Sequence, residues 1–200
     1  AGGRVSVGDS PGVGSLAAAA RAAGLERVLE ETATPLADFD TPCELAVPGH
    51  RIAPRLTLAR AAAEADVIIT LPKLKTHGQM AFTGALKNQY GLVPGMRKSE
   101  WHFRLQRPEW LAELILDIHR AARPALAIMD AVVGMEGQGP SGGRPRQIGA
   151  VLAGADLAAV DTLACLLIRL DPAAVPVLAA ARARRLGATT LGEMEVVGDD

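Results

Sequence analysis

Aromatic residues are almost missing from this 200-residue chain, which has two Trp, one Tyr and three Phe. So thin a supply argues against an aromatic-rich β-sandwich and against a surface that stacks nucleic-acid bases. Cysteine is limited to Cys43 and Cys165, far apart and outside any CxxC pair. Two thiolates fall short of the ligand set of an iron–sulfur cluster or a structural zinc, so no metal site is read here and no cofactor is identified. The same scarcity fits a reducing, cytoplasmic compartment. No apolar run approaches the roughly 18 residues of a membrane span, and the opening AGGRVSVGDSPG has neither the charged start nor the apolar run of an export signal. An excess of one charge is absent too, since 21 Lys plus Arg stand against 22 Asp plus Glu. That balance gives no global field toward nucleic acid or a membrane surface, and neither is expected as a partner. Charge-driven binding must be local. The chain also starts at Ala1 rather than Met, and a missing N-terminal segment is expected.

What is present is a 49% apolar composition rich in Ala, in which short β-type runs alternate with helical ones. Strands are expected at Arg4–Gly8, Glu44–Val47, Asp66–Leu71, Ala125–Met129, Ile148–Ala153 and Met194–Val197. Helices are expected at Ser15–Ala23, Leu56–Ala65 and Phe82–Tyr90, from Pro108, from Asp156, and from Pro172 to about Leu186. The apolar run DVIITL reads as a strand buried on both faces, and Met96–Arg107 as an irregular lid carrying Trp101 and His102. Helical spacers of this length favour a single α/β domain with a mostly parallel sheet and helices on both faces. In such sheets ligands bind beyond the carboxyl ends of the strands.

Lysine is the sharper signal. Only 4 Lys stand against 17 Arg, yet Lys73, Lys75, Lys87 and Lys98 all fall within 26 residues. A compact ammonium with a tunable pKa has been kept where a fixed guanidinium would serve most surface roles. Lys73, Lys75 and His77 follow the DVIITL run directly, and an extended backbone would place all three on one side. They are candidates for holding an anion and for acid–base work, with Lys87 as a further catalytic candidate. Asn88 is assigned to substrate binding, and either Lys87 or Asn88 could instead serve the end of a short helix. A second constellation, DAVVGMEGQGPSGGRPR, supplies Asp130 and Glu136 as carboxylates. Its Gly137, Gly139, Ser141, Gly142, Gly143 and Arg144 form a backbone cradle for an anion. There is no GxxxxGK[ST] motif, and no GxGxxG fingerprint joins a strand to a helix. Asp156 reads as a helix N-cap, and Asp161 as serving either the helix dipole or a pocket.

The runs ADVIITLPKLKTH, TGALKNQYGLVPG, DAVVGMEGQGPSGG and AGADLAAVDTLA resemble a prokaryotic family known as domain of unknown function 362. The likeness extends from about Gly8 to Gly198. Members often carry an added ferredoxin-type cluster domain, so the resemblance implies a redox setting with a ferredoxin-type partner. This chain departs from that pattern in lacking the cysteines. By the resemblance, Lys73, Lys75, His77, Lys87, Asn88, Asp130, Glu136, Gly137, Gly139 and Gly142 occupy the recurring motif positions. A shorter pattern, His77, Gly84, Lys87 and Pro94-Gly95, is similar to the nucleotide-cofactor domain of nickel-dependent lactate racemase-like proteins. The expected function is the binding of a small carboxylate or phosphate, with Lys- or His-assisted proton transfer. A noncatalytic scaffold in an iron–sulfur system is the alternative.

Overall fold

In the computed structural model, which describes residues 2–12 and 14–198, two short helices come first: α1 (Leu16–Ala22), whose N-cap Ser15 accepts from the Ala18 N–H, and α2 (Glu26–Glu31). An antiparallel pair, β1 (Pro42–Ala46) and β2 (Arg55–Ala59), follows and runs into the four-residue α3 (Arg60–Ala63). The segment expected as a helix from Leu56 is therefore a strand at its start. Leu56 and Leu58 alternate into the core at 1% and 0% exposure, a period of two that the Ala-rich continuation obscures. Arg4–Gly8 makes only one bridge, Val7 to Leu36, and Met194–Val197 is not a strand.

The main sheet is built on β6 (Leu126–Gln138). Along one edge of it run β3 (Ile69–Thr70) and β4 (Lys73–His77), parallel to it and separated by Pro72. Its other edge pairs antiparallel with β7 (Gly142–Gly154), and β5 (Ala81–Thr83) closes the sheet antiparallel to β4. The α/β class thus holds, but the sheet is mixed, with parallel pairing confined to β3 and β4. The reason lies in the Gly-rich segment. It was expected as a backbone cradle beyond the end of a strand at Met129, yet it continues β6 past Asp130 and turns back as a hairpin.

Helices α4 (Ala85–Asn88), α6 (Pro108–Ala122), α7 (Leu157–Leu167) and α8 (Pro176–Arg184) stack on one side of this sheet. Pro108 opens α6 at its first turn, and Leu111, Leu114, Ile115 and Ile118 are buried along one stripe. They meet Leu74, Phe82, Ala127, Met129 and Ala131 from the sheet in one continuous core. The other side of the sheet carries no helix layer among the described residues. There Ile69, Leu71, Ile128, Val132 and Val151 are 37–64% exposed, where helices on both faces were expected. β3 is accordingly covered on one side only, which corrects the reading of DVIITL as a doubly buried strand.

The hairpin loop before β2 is tied to the helices by a buried ion. Asp117, fully buried on α6, accepts from the N–H groups of Arg51 and Ile52 and from Arg184 at 2.9 Å. Glu113 completes the network by pairing with Arg184 and Arg51. Removing one partner of such a pair strands the other charge in the interior. Asp117→Ala is therefore expected to cost about 3–5 kcal/mol in a urea unfolding titration, far more than a surface substitution. A loss below about 1 kcal/mol would show that the network carries no such weight.

Candidate functional site

The site is built around the end of β4 and the corner that follows it. From β5 the chain enters α4, whose start is held by a carboxylate from another helix. Asp161 of α7, fully buried, accepts from the Ala85 N–H at 2.5 Å and the Leu86 N–H at 3.0 Å. Burial lifts its carboxyl to about 7, against the two N–H groups that pull it down. A side chain at Gly84 would put its Cβ 2.1 Å from the Asp161 carboxylate and 2.4 Å from Phe82, so only glycine fits there. Packing alone thus accounts for one position of the lactate racemase-like pattern. Asp161 serves a helix dipole, though not that of its own helix.

This anchoring presents Lys87 to a group of cations. Burial pushes its ammonium down to about 8, helped by the positive charges of Lys75 and Lys98. His77 is pushed down to about 4, by burial first and then by Lys87, His102 and Lys75. Its Nδ1 accepts from the N–H groups of Gln79 and Met80, both at 3.2 Å, which leaves the proton of the neutral ring on Nε2. His77 is therefore a neutral donor at pH 7. No carboxylate among the described residues pairs with Lys75, Lys87 or His77.

Two further members come from α5 (Gly95–Arg104), a ten-residue helix where an irregular lid was expected. Lys98 donates to the carbonyl of Ser10, and Asp9 beside it offsets part of the burial that lowers its ammonium. His102 stands edge-on to Tyr90 with ring centroids 5.2 Å apart, and Tyr90 donates to the Lys98 carbonyl at 2.9 Å. Partial burial, Lys87 and Lys98 lower the His102 imidazole. Trp101 packs against the core edge beneath Arg104, while Trp110 is exposed beside Arg107. Lys98 was not assigned to the site from sequence, and His102 was placed only in the lid. The clustering of all four lysines was the signal that included Lys98.

The remaining candidates fall elsewhere. Lys73 does not contribute to the charges that bear on His77 and Lys87. It pairs instead with Asp130 at 2.6 Å on the open sheet face, and that contact holds the Asp130 carboxyl below its usual range. Glu136 pairs across the hairpin with Arg146 at 2.8 Å. Both carboxylates are thus neutralised by partners of their own. Asn88 donates to Thr70 Oγ1 at 2.8 Å, tying α4 to β3, rather than capping the helix, which runs on as a 3₁₀ turn. Gly137, Gly142 and Gly143 lie in the ladder between β6 and β7, where Gly142 opposes Gln138 and Gly143 opposes Gly137. Ser141 is at the exposed turn, and Arg144 lies opposite Glu136. Gly139 has a packing role. A Cβ there would sit 1.8 Å from the Thr76 carbonyl oxygen, so its absence lets the hairpin tip dock beside β4, with Thr76 Oγ1 donating to the Gly137 carbonyl at 3.0 Å. The two motif segments do meet, through the Lys73–Asp130 pair, the backbone and Thr76.

Residues 1–166 match the family described as "Domain of unknown function (DUF362)". A thylakoid-associated protein of Synechocystis is 35% identical over 187 residues, covering 90% of this chain and 56% of that relative. The chain therefore spans little more than half the length of the relative it matches.

Lys87 is expected to titrate near 8 when followed by NMR of ¹³C-methylated lysines. Lys75→Gln removes a like charge and should raise that midpoint. An unmoved midpoint would separate the two residues. Since the folded value lies below the ordinary 10.5, this group's contribution to stability is present above 10.5 and lost as pH falls toward 8.

Proposed function

We propose that this chain, which belongs to the DUF362 family, binds a small carboxylate or phosphate at the cluster of Lys75, His77, Lys87 and Lys98 and moves a proton there through Lys87. The observation that supports this reading is like-charge crowding without a counterion. Three ammonium groups and two imidazoles gather where β4 ends, and among the described residues Lys98 alone has an acid, Asp9, beside it. Crowding of this kind is costly in the empty site and is relieved when an anion enters. Lys75 supplies attraction and His77 a neutral N–H donor. Lys87, poised near 8, exchanges a proton close to neutral pH, as acid–base catalysis requires. Substrate and reaction of the whole protein belong to this proposal as well.

A second reading, a noncatalytic binding module, draws on the open sheet face. Ile69, Leu71, Ile128, Val132 and Val151 are exposed there around the Lys73–Asp130 pair, and exposed apolar side chains grouped in this way mark interaction surfaces. An iron–sulfur protein would be the partner under this reading, since Cys43 and Cys165 lie apart on β1 and α7. Among the described residues no helix is long and apolar enough to cross a membrane.

An arriving anion should raise the Lys87 pKa, so binding near pH 8 to 9 should take up protons. Calorimetry with inorganic phosphate, run in two buffers of different ionisation enthalpy, is expected to show net uptake. Lys87→Met should abolish that uptake and weaken binding at least tenfold, while Asp130→Asn should leave both in place. Phosphate binding indifferent to both Lys87 and Lys75 would rule the reading out. A stable complex with a ferredoxin, without phosphate binding, would favour the second.

A further inference from the structure

Away from the lysine cluster, a cavity of about 520 Å³ opens between the last turn of α6 and the start of α7. Its floor is apolar, formed in part by Leu86 and Leu157, and its rim carries His119, Arg120, Arg123 and Asp156. The charges of this rim are unevenly satisfied. Asp156 is fully engaged by backbone, accepting from Ala158 at 2.9 Å, Ala159 at 3.1 Å and Ala188 at 2.7 Å. Arg120 and Arg123 have no carboxylate partner among the described residues, whereas Arg184 nearby holds two. His119 is lowered by burial, against the pull of Asp156 and with Arg184 and Arg120 adding to the effect, so it is neutral at pH 7. Its Nδ1 is buried without a partner. A second hollow of about 270 Å³ shares Pro48, Arg120 and Arg123 with the first, so the two guanidinium groups stand at the junction.

We propose that this cavity binds a phosphorylated small molecule of nucleotide size, its ring on the apolar floor and its phosphates at Arg120 and Arg123. The volume lies within the range of about 300–1,000 Å³ typical of small-molecule sites. Arginine presents a planar fork of donors that matches phosphate oxygens in pairs, and two arginines three residues apart at the end of α6, both lining the cavity, suit a diphosphate. The apolar floor excludes a purely inorganic ion as the best ligand, because phosphate alone would leave it unfilled.

Calorimetry with ADP, adenosine and pyrophosphate on the full chain tests this. ADP is expected to bind, adenosine and pyrophosphate each at least tenfold more weakly. Arg120→Ala and Arg123→Ala should each weaken ADP at least tenfold. Ala155→Trp, which changes an exposed residue on the cavity wall and keeps both arginines, should block ADP without disturbing the fold; it serves if an arginine variant does not fold. Lys87→Met separates the two sites, since it removes phosphate from the lysine cluster while ADP still enters the cavity. No ADP binding at millimolar concentration overturns the proposal. So does ADP binding that Lys87→Met abolishes and the arginine variants leave intact, and so does pyrophosphate binding equal to ADP that Ala155→Trp does not affect.

Discussion

A single buried carboxylate decides where Lys87 stands. Asp161 reaches from α7 to the first two N–H groups of α4, which no residue of α4 itself could satisfy. A four-residue helix has almost no stability of its own, because nucleation costs more than so few hydrogen bonds return. The cap makes it a fixed element, and Gly84 leaves the space in which the carboxylate sits. Lys87 then has one position relative to β4 and α5. Asn88, through Thr70, fastens the other end of the same short helix to the sheet.

The cationic cluster is assembled from three separate elements, and each is held by contacts that do not involve the charges themselves. β4 is kept in place by ladder pairing and by Leu74 in the core. α5 is positioned by the Tyr90 hydroxyl on the Lys98 carbonyl and by the edge contact with His102. The electrostatic cost of gathering like charges is thereby borne by packing elsewhere, a pattern common at functional sites. Lys73 stands apart from the cluster in its pair with Asp130.

Much of this was legible from the residues alone. Pro108 and Asp156 mark the starts of α6 and α7 by the chemistry of helix entry, and both do so in the structure. The crowding of lysine into one stretch pointed to the region where Lys75, Lys87 and Lys98 come together. The Gly-rich run did not read correctly, because glycine that permits close approach is indistinguishable in sequence from glycine that permits a turn. Gly134 and Gly139 are there for approach, next to Leu74 and Thr76 respectively, and so β6 runs on to Gln138. Partner choice was equally hidden. Nothing in the spacing shows that Asp130 and Glu136 are claimed by Lys73 and Arg146, since the pairing register that decides it is a long-range property.

Strand β7 lies at the margin of the sheet, thirteen residues long and paired on one side only among the described residues. A margin of that length is a template on which other chains can polymerise. Its first half counters the hazard with Arg144, Pro145 and Arg146, two charges around a residue that has no N–H to offer. The half that follows Gln147 carries no such gatekeeper, so self-association of partly unfolded molecules should begin at residues 148–154.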